Sequence, residues 1–166
     1  MNRVKSAITQ WQREIPDLDL LPMEVVGYLK TSQLHTRNQL EAFFKAHGLQ
    51  AGEFDVLATL RRAGAPYALT PTQLFGALMV SSGGMTNRLD RLERAGLIRR
   101  NPNPDDRRGT LVSMTEQGLA LIDRLVPLHV ENEARMLSAL SREEQEMLGR
   151  LLGKLLDGLE GAAHGR

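Results

Sequence analysis

Along most of this chain apolar residues recur at helical spacing, and the recurrence stops where Pro, Gly or a polar cluster intervenes. Residues 3–14 read as a short helix, ended by PDLDLLP through Pro16 and Pro22. A long helix follows from Met23 to His47, with Val25, Val26, Leu29, Leu34, Leu40, Phe43 and Phe44 as its apolar positions and Gly48 as its stop. Residues 52–62 form another helix, ending at Ala63-Gly64. PYALT reads as a loop, and Thr70-Pro71 supplies an N-cap and an N1 proline for a short helix through Leu78. Ser81 and Ser82 can cap the next helix, MTNRLDRLERAG, which stops at Gly96.

The texture then changes. LIRR and TLVSM are strand segments, and NPNPDDRRG between them is dense in turn formers. Thr115 caps a helix to about Leu140, interrupted or kinked near Pro127. SREE at 141–144 is a capping box that opens a last amphipathic helix. The predicted fold is mainly α with a small β-hairpin. From Thr70 to Thr115 the order is helix, turn, helix, hairpin, the plan of a winged helix-turn-helix whose second helix enters the major groove of DNA.

Composition sharpens this picture. The 166 residues carry 42% hydrophobic and 25% charged side chains, a globular balance, and only 4% aromatics. No cysteine is present, which excludes disulfides, zinc-thiolate sites and thiol redox sensing. No apolar run nears the ~20 residues of a membrane span, and the first residues lack a signal-peptide core, so a bacterial-type cytoplasmic protein with no membrane association is expected. The net charge of +1 is unevenly spread. Residues 88–108 hold seven arginines against four acids, whereas residues 109–166 hold six bases against nine acids. A basic centre suits an anionic partner.

At roughly 100° per residue, Met85, Leu89, Leu92 and Gly96 share one stripe of the second helix, and Asn87, Asp90, Arg91 and Arg94 face away from it. Ser82, Thr86 and Asn87 stand near its N-terminal end, where helices meet base edges and phosphates. Asn and Arg are the side chains suited to bidentate contacts with adenine and guanine. In the hairpin, Asp106 is spaced to orient one of Arg107 and Arg108 while the other projects into a narrow minor groove. The expected DNA-binding set is therefore Ser82, Thr86, Asn87, Arg91, Arg107 and Arg108. No catalytic residue or metal site is expected: there is no Walker loop, GxGxxG or HExxH, and the four histidines are scattered.

SSGGMTNRLDRLERAGLIRR, followed by the wing pattern D-x-R-x-x-x-V-x-[LM]-T at Asp106, Arg108, Val112, Met114 and Thr115, resembles the MarR family of transcription regulators. That resemblance implies a homodimer on a palindromic operator, with residues 1–48 as N-terminal helices, 49–115 as the DNA-binding lobe and 116–166 as dimerisation helices. Trp11, Asp55, Arg88 and Arg100 further resemble the effector set of the family's urate-responsive branch, whose members carry an additional first helix bearing a Trp. The implied effector is urate or xanthine, with no cofactor. Urate is planar and anionic, so Trp11 would supply a flat surface, Arg88 or Arg100 the charge, and Asp55 a displaceable anion. Ligand would disturb the Asp55–arginine pairing and shift the reading helix off DNA. Phenolic or lipophilic effectors remain the alternative. His129, just after Pro127, is a pH-sensor candidate or an ordinary partly buried histidine.

Overall fold

A computed structural model describes residues 2–50, 52–78, 84–104 and 106–164. The order is α1 (Arg3–Glu14), α2 (Leu21–Ala46), α3 (Glu53–Arg62), β1 (Ala68–Leu69), α4 (Pro71–Ala77), α5 (Met85–Arg94), β2 (Ile98–Asn103), β3 (Asp106–Met114), α6 (Glu116–Met136) and α7 (Arg142–His164). Two compact units divide the chain inside α6, Met1–Ile122 and Asp123–Arg166.

In the first unit, the Asn2 side chain caps α1 by accepting from Val4 N at 3.0 Å. Val4 and Ile8 bury one face of α1 with Leu20, and Tyr28 of α2 packs on that cluster. The α2 helix begins two residues earlier than its pattern suggests, because Pro22 falls in the first turn, where a missing N–H costs nothing. Its far end is tied by Phe44, stacked on Phe54 of α3 at 4.9 Å. Val56, Leu57 and Leu60 of α3 are wholly enclosed, and so are Leu74, Leu92 and Val112 on α4, α5 and β3, the elements packed against α3.

The sheet differs from the expected isolated hairpin. It has three antiparallel strands in the order β1-β3-β2. Ala68 and Leu69, expected in a loop, pair with Ser113 and Val112. A two-residue strand has no periodicity to reveal it; only the partner strand defines it. The hairpin is also longer than expected. Register runs from Ile98↔Met114 to Pro102↔Thr110, then shifts at a bulge so that Asn103 faces Asp106. Pro102 is compatible with pairing because β2 is an edge strand, where its lack of an N–H breaks no ladder.

One corner joins the end of α5 to the start of α6. Gly96 ends α5 with φ +71. Thr115 then donates from Oγ1 to the Gly96 carbonyl at 2.7 Å and accepts at Oγ1 from Gly118 N at 3.0 Å, while Thr115 N donates to Leu97 O at 3.1 Å. One residue thus caps α6 and fastens the preceding turn to it.

The second unit holds the rest of α6 and α7. Pro127 lies within α6, and the helix continues through it to Met136 rather than breaking there or reaching Leu140. Ser141 N donates to Glu144 Oε2 at 2.7 Å and Glu144 N to Ser141 Oγ at 3.3 Å, the expected capping box. Leu148, Leu151, Leu155 and Leu159 of α7 are all exposed and share one face by their spacing of three and four residues.

The α5–α6 corner generates a test at Gly118. A Cβ built there would lie 2.1 Å from the Leu97 carbonyl oxygen. Helix propensity alone favours Ala over Gly by about 1 kcal/mol. The backbone clash outweighs that gain, so Gly118→Ala is expected to destabilise the protein by about 1–3 kcal/mol in urea denaturation. A stabilised variant would show that the corner is not packed this closely.

Candidate nucleic-acid interface

Thr70 opens the helix-turn-helix: its Oγ1 accepts from Gln73 N at 3.2 Å while its own N donates to Gln73 Oε1 at 2.9 Å. Gly84 is the N-cap of α5, at φ +75. Ser81 and Ser82, expected as caps, lie outside the described residues, and with them the DNA contact expected of Ser82. Met85, Leu89 and Leu92 bury the inner stripe of α5, as the pattern predicts. Thr86, Asn87 and Arg94 stand exposed. Thr86 and Asn87 occupy the first turn, where an inserted helix presents side chains to base edges.

The remaining polar residues of α5 are engaged within the protein. Arg91 Nε lies 2.7 Å from Glu53 Oε1, and the Glu53 side chain is only 5% exposed. Arg88 lies over Gly52, at the start of α3; a Cβ on Gly52 would come within 2.7 Å of Cζ and Nε of Arg88. Gly52 is also at φ +81, so both backbone conformation and space call for glycine there. Arg88 and Arg91 are thereby brought to the end of α3 whose first turn carries Glu53 and Asp55.

Arg100 goes elsewhere. Its Nη2 lies 2.6 Å from Asp90 Oδ1 and 2.5 Å from Glu93 Oε2; its Nε donates to Glu93 Oε2 at 2.9 Å and its backbone N to Glu93 Oε1 at 3.0 Å. At 100° per residue, Asp90 and Glu93 lie on roughly the opposite side of α5 from Arg88. The two arginines expected to share an effector are therefore drawn apart, because a pair of acids facing β2 claims Arg100. Trp11 is 44% exposed on α1.

Asp106 opens β3 opposite Asn103. Arg107 and Arg108 belong to that strand rather than to the turn, and their side chains lie outside the described part. In the second unit, His129 Nε2 lies 3.2 Å from Glu133 Oε1, with the His129 side chain 16% exposed. Among the described residues no group of three His, Cys, Asp or Glu could hold a metal ion. No helix there is long and apolar enough to cross a membrane.

The residues that sequence reasoning missed are acidic. Glu53 reads as an ordinary first-turn acid after a glycine, and nothing local says it is buried. Asp90 and Glu93 were visible as an i, i+3 pair, but their partner comes from the following strand.

An exposed first turn on a buried-stripe helix, followed by a paired hairpin, is the architecture of a DNA reader, and the comparisons agree. The sequence model of the MarR family matches residues 49–110. The HTH-type transcriptional regulator PecS of Dickeya dadantii is 48% identical over 152 residues, 92% of each chain. The chain belongs to the MarR family. It is a DNA-binding transcription regulator with a winged helix-turn-helix, and its relatives are regulators rather than enzymes. Among solved structures, a MarR mutant of E. coli complexed with operator DNA matches with TM-score 0.69 and 28% identity, over 88% of this chain and 97% of that one. AbsC, a MarR family regulator of Streptomyces coelicolor, matches with TM-score 0.72 and 26% identity, over 87% and 97%.

The Arg100 tie has a pH signature. The Arg100 side chain, and secondly its backbone N–H, hold the Glu93 carboxyl below the ordinary carboxylate range. A depressed folded value means the tie acts in full at neutral pH and is lost as pH falls through that value. Glu93→Gln should lower Tm at pH 7, and the gap from wild type should close below about pH 4. Calorimetric melts across this range check it; a gap that persists in acid would contradict it.

Proposed function

We propose that this MarR-family regulator is a homodimeric repressor, released from a palindromic operator by urate or a related purine-degradation product such as xanthine. The observation that carries the reading is the placement of Arg88. It sits on the reading helix, yet its guanidinium packs over Gly52, three residues before Asp55. A ligand charge placed beside Asp55 would be felt through Arg88 by α5 without touching a base. Trp11, half exposed, offers the flat apolar surface a planar purine needs. Arg100, the other arginine of the expected effector set, pairs with Asp90 and Glu93 on the other side of α5. Thr86 and Asn87 read the major groove, with Ser82, Arg107 and Arg108 completing the DNA contacts. Release requires only that the ligand bind the DNA-free conformation more tightly than the bound one.

The homodimer reading rests on the exposed leucine face of α7, an apolar stripe too long for a monomer to leave in water. Sedimentation equilibrium at micromolar concentration is expected to show a dimer; a stable monomer would remove the palindrome with it. A cytoplasmic setting follows from DNA as the partner.

For the effector, urate is titrated into a preformed protein–DNA complex for wild type, Trp11→Phe, Asp55→Asn and Arg88→Ala. Each variant should keep its fold and dimer and need roughly tenfold more urate, as expected for the loss of about 1.4 kcal/mol of differential binding. Arg88→Ala should also weaken DNA binding directly. Unchanged midpoints in all three would favour a phenolic or lipophilic effector instead.

A further inference from the structure

Arg91 emerges from α5 one turn after Asn87, on the same outward face, and would ordinarily be counted with the residues that touch DNA. The geometry points to a different role: we infer that Glu53 and Arg91 form a positioning pair that sets how α5 presents Thr86 and Asn87 to the groove, and that Arg91 is not itself a phosphate or base contact.

Three observations carry this. The Glu53 carboxylate is enclosed, with its side chain 5% exposed, whereas Arg91 is 41% exposed. An arginine with so much access to water could extend outward; its Nε is instead directed back at Oε1 of Glu53, 2.7 Å away. The carboxylate is fixed from its other side as well, Oε2 accepting from Gln50 N at 2.6 Å. Glu53 thus stands between the backbone of the loop before α3 and the outer face of the reading helix.

Breaking a buried pair is costly because it strands a charge away from water. Any slide of α5 along α3 lengthens the Glu53–Arg91 contact and incurs part of that cost, whereas the apolar stripe of Met85, Leu89 and Leu92 tolerates small slides. The pair supplies a register that hydrophobic contact does not. It acts on sequence discrimination, since Asn87 reads a base edge only within hydrogen-bond reach, and much less on the non-directional attraction to phosphate.

The test uses the full-length protein and two fluorescent duplexes, one selected by wild type from a random library and one of scrambled sequence, each titrated over a salt series. Arg91→Ala and Glu53→Ala should each reduce the selected-to-scrambled affinity ratio about tenfold, the scale of one lost base contact. The double variant should lose no more than either alone. The salt slope on the scrambled duplex should stay at the wild-type value. Glu53→Gln, which keeps the shape and an acceptor oxygen, should retain most of the ratio. In the Arg91→Ala background Glu53→Gln should raise Tm, because it removes the stranded charge. If Glu53→Ala does not fold, Arg91→Ala with and without Glu53→Gln makes the same comparison. A slope flattened by about 0.9 in Arg91→Ala, with Glu53 variants like wild type, would make Arg91 a phosphate contact and overturn the inference. Additive losses in the double variant, or an unchanged ratio in every variant, would overturn it equally. None of these readouts involves urate, so the effector reading stands or falls separately.

Discussion

The reading helix is ten residues long and buries three apolar side chains, Met85, Leu89 and Leu92. A helix of that length is marginal in isolation, so its shape and direction come from what it packs against. The inner stripe fixes which side faces the lobe but leaves freedom to slide and roll. Charged contacts remove that freedom from two directions. Glu53 of α3 takes Arg91 on one side, and Asp90 and Glu93 take Arg100 of β2 on the other. Most other features of the lobe serve these two attachments, because each presenting residue must itself be held still.

On the wing side, β3 is the middle strand and carries that burden. Through β1 it is joined to the segment between α3 and α4, and through β2 to Arg100. At the base of the hairpin Thr115 binds the turn after α5 to the first turn of α6. The wing is therefore no free flap: the hydroxyl and backbone N–H of Thr115 tie the hairpin base, the turn after the reading helix and the start of α6 together at one corner. On the other side, Arg88 over Gly52 adds a second point at which α5 meets the beginning of α3.

Much of this is legible in the amino-acid sequence. The Thr70 N-cap, the buried stripe of α5, the Gly96 stop and the Ser141 box are local signals, written in residues a few positions apart. What was not legible depends on partners distant in the chain. Ala68 and Leu69 become a strand only because Ser113 and Val112 lie beside them. Pro102 looks like a turn former until β2 is known to be an edge. Pro127 suggests a break that the surrounding helix overrides. The same holds for function. Helical rotation finds Asn87 and Arg91, and Thr86 follows from its place at the start of the helix, whereas Arg100 is placed by resemblance and by its charge. Charge type does not say which acid will claim an arginine thirty-eight residues away, as Glu53 claims Arg91.

The buried carboxylate of Glu53 has a consequence for anyone seeking to re-aim this protein at a new DNA sequence. Exchanging residues 84–95 for the helix of another regulator would look like a self-contained graft, since Thr86 and Asn87 both lie within that segment. Position 53 lies outside it, on a different helix, and would remain as an acid awaiting a cation at position 91. A donor helix with an apolar or acidic residue there would sit wrongly however well its own contacts were chosen. The exchangeable unit is the helix together with remote residues that hold it, Glu53 and Arg100, and these positions are expected to change with it or not at all.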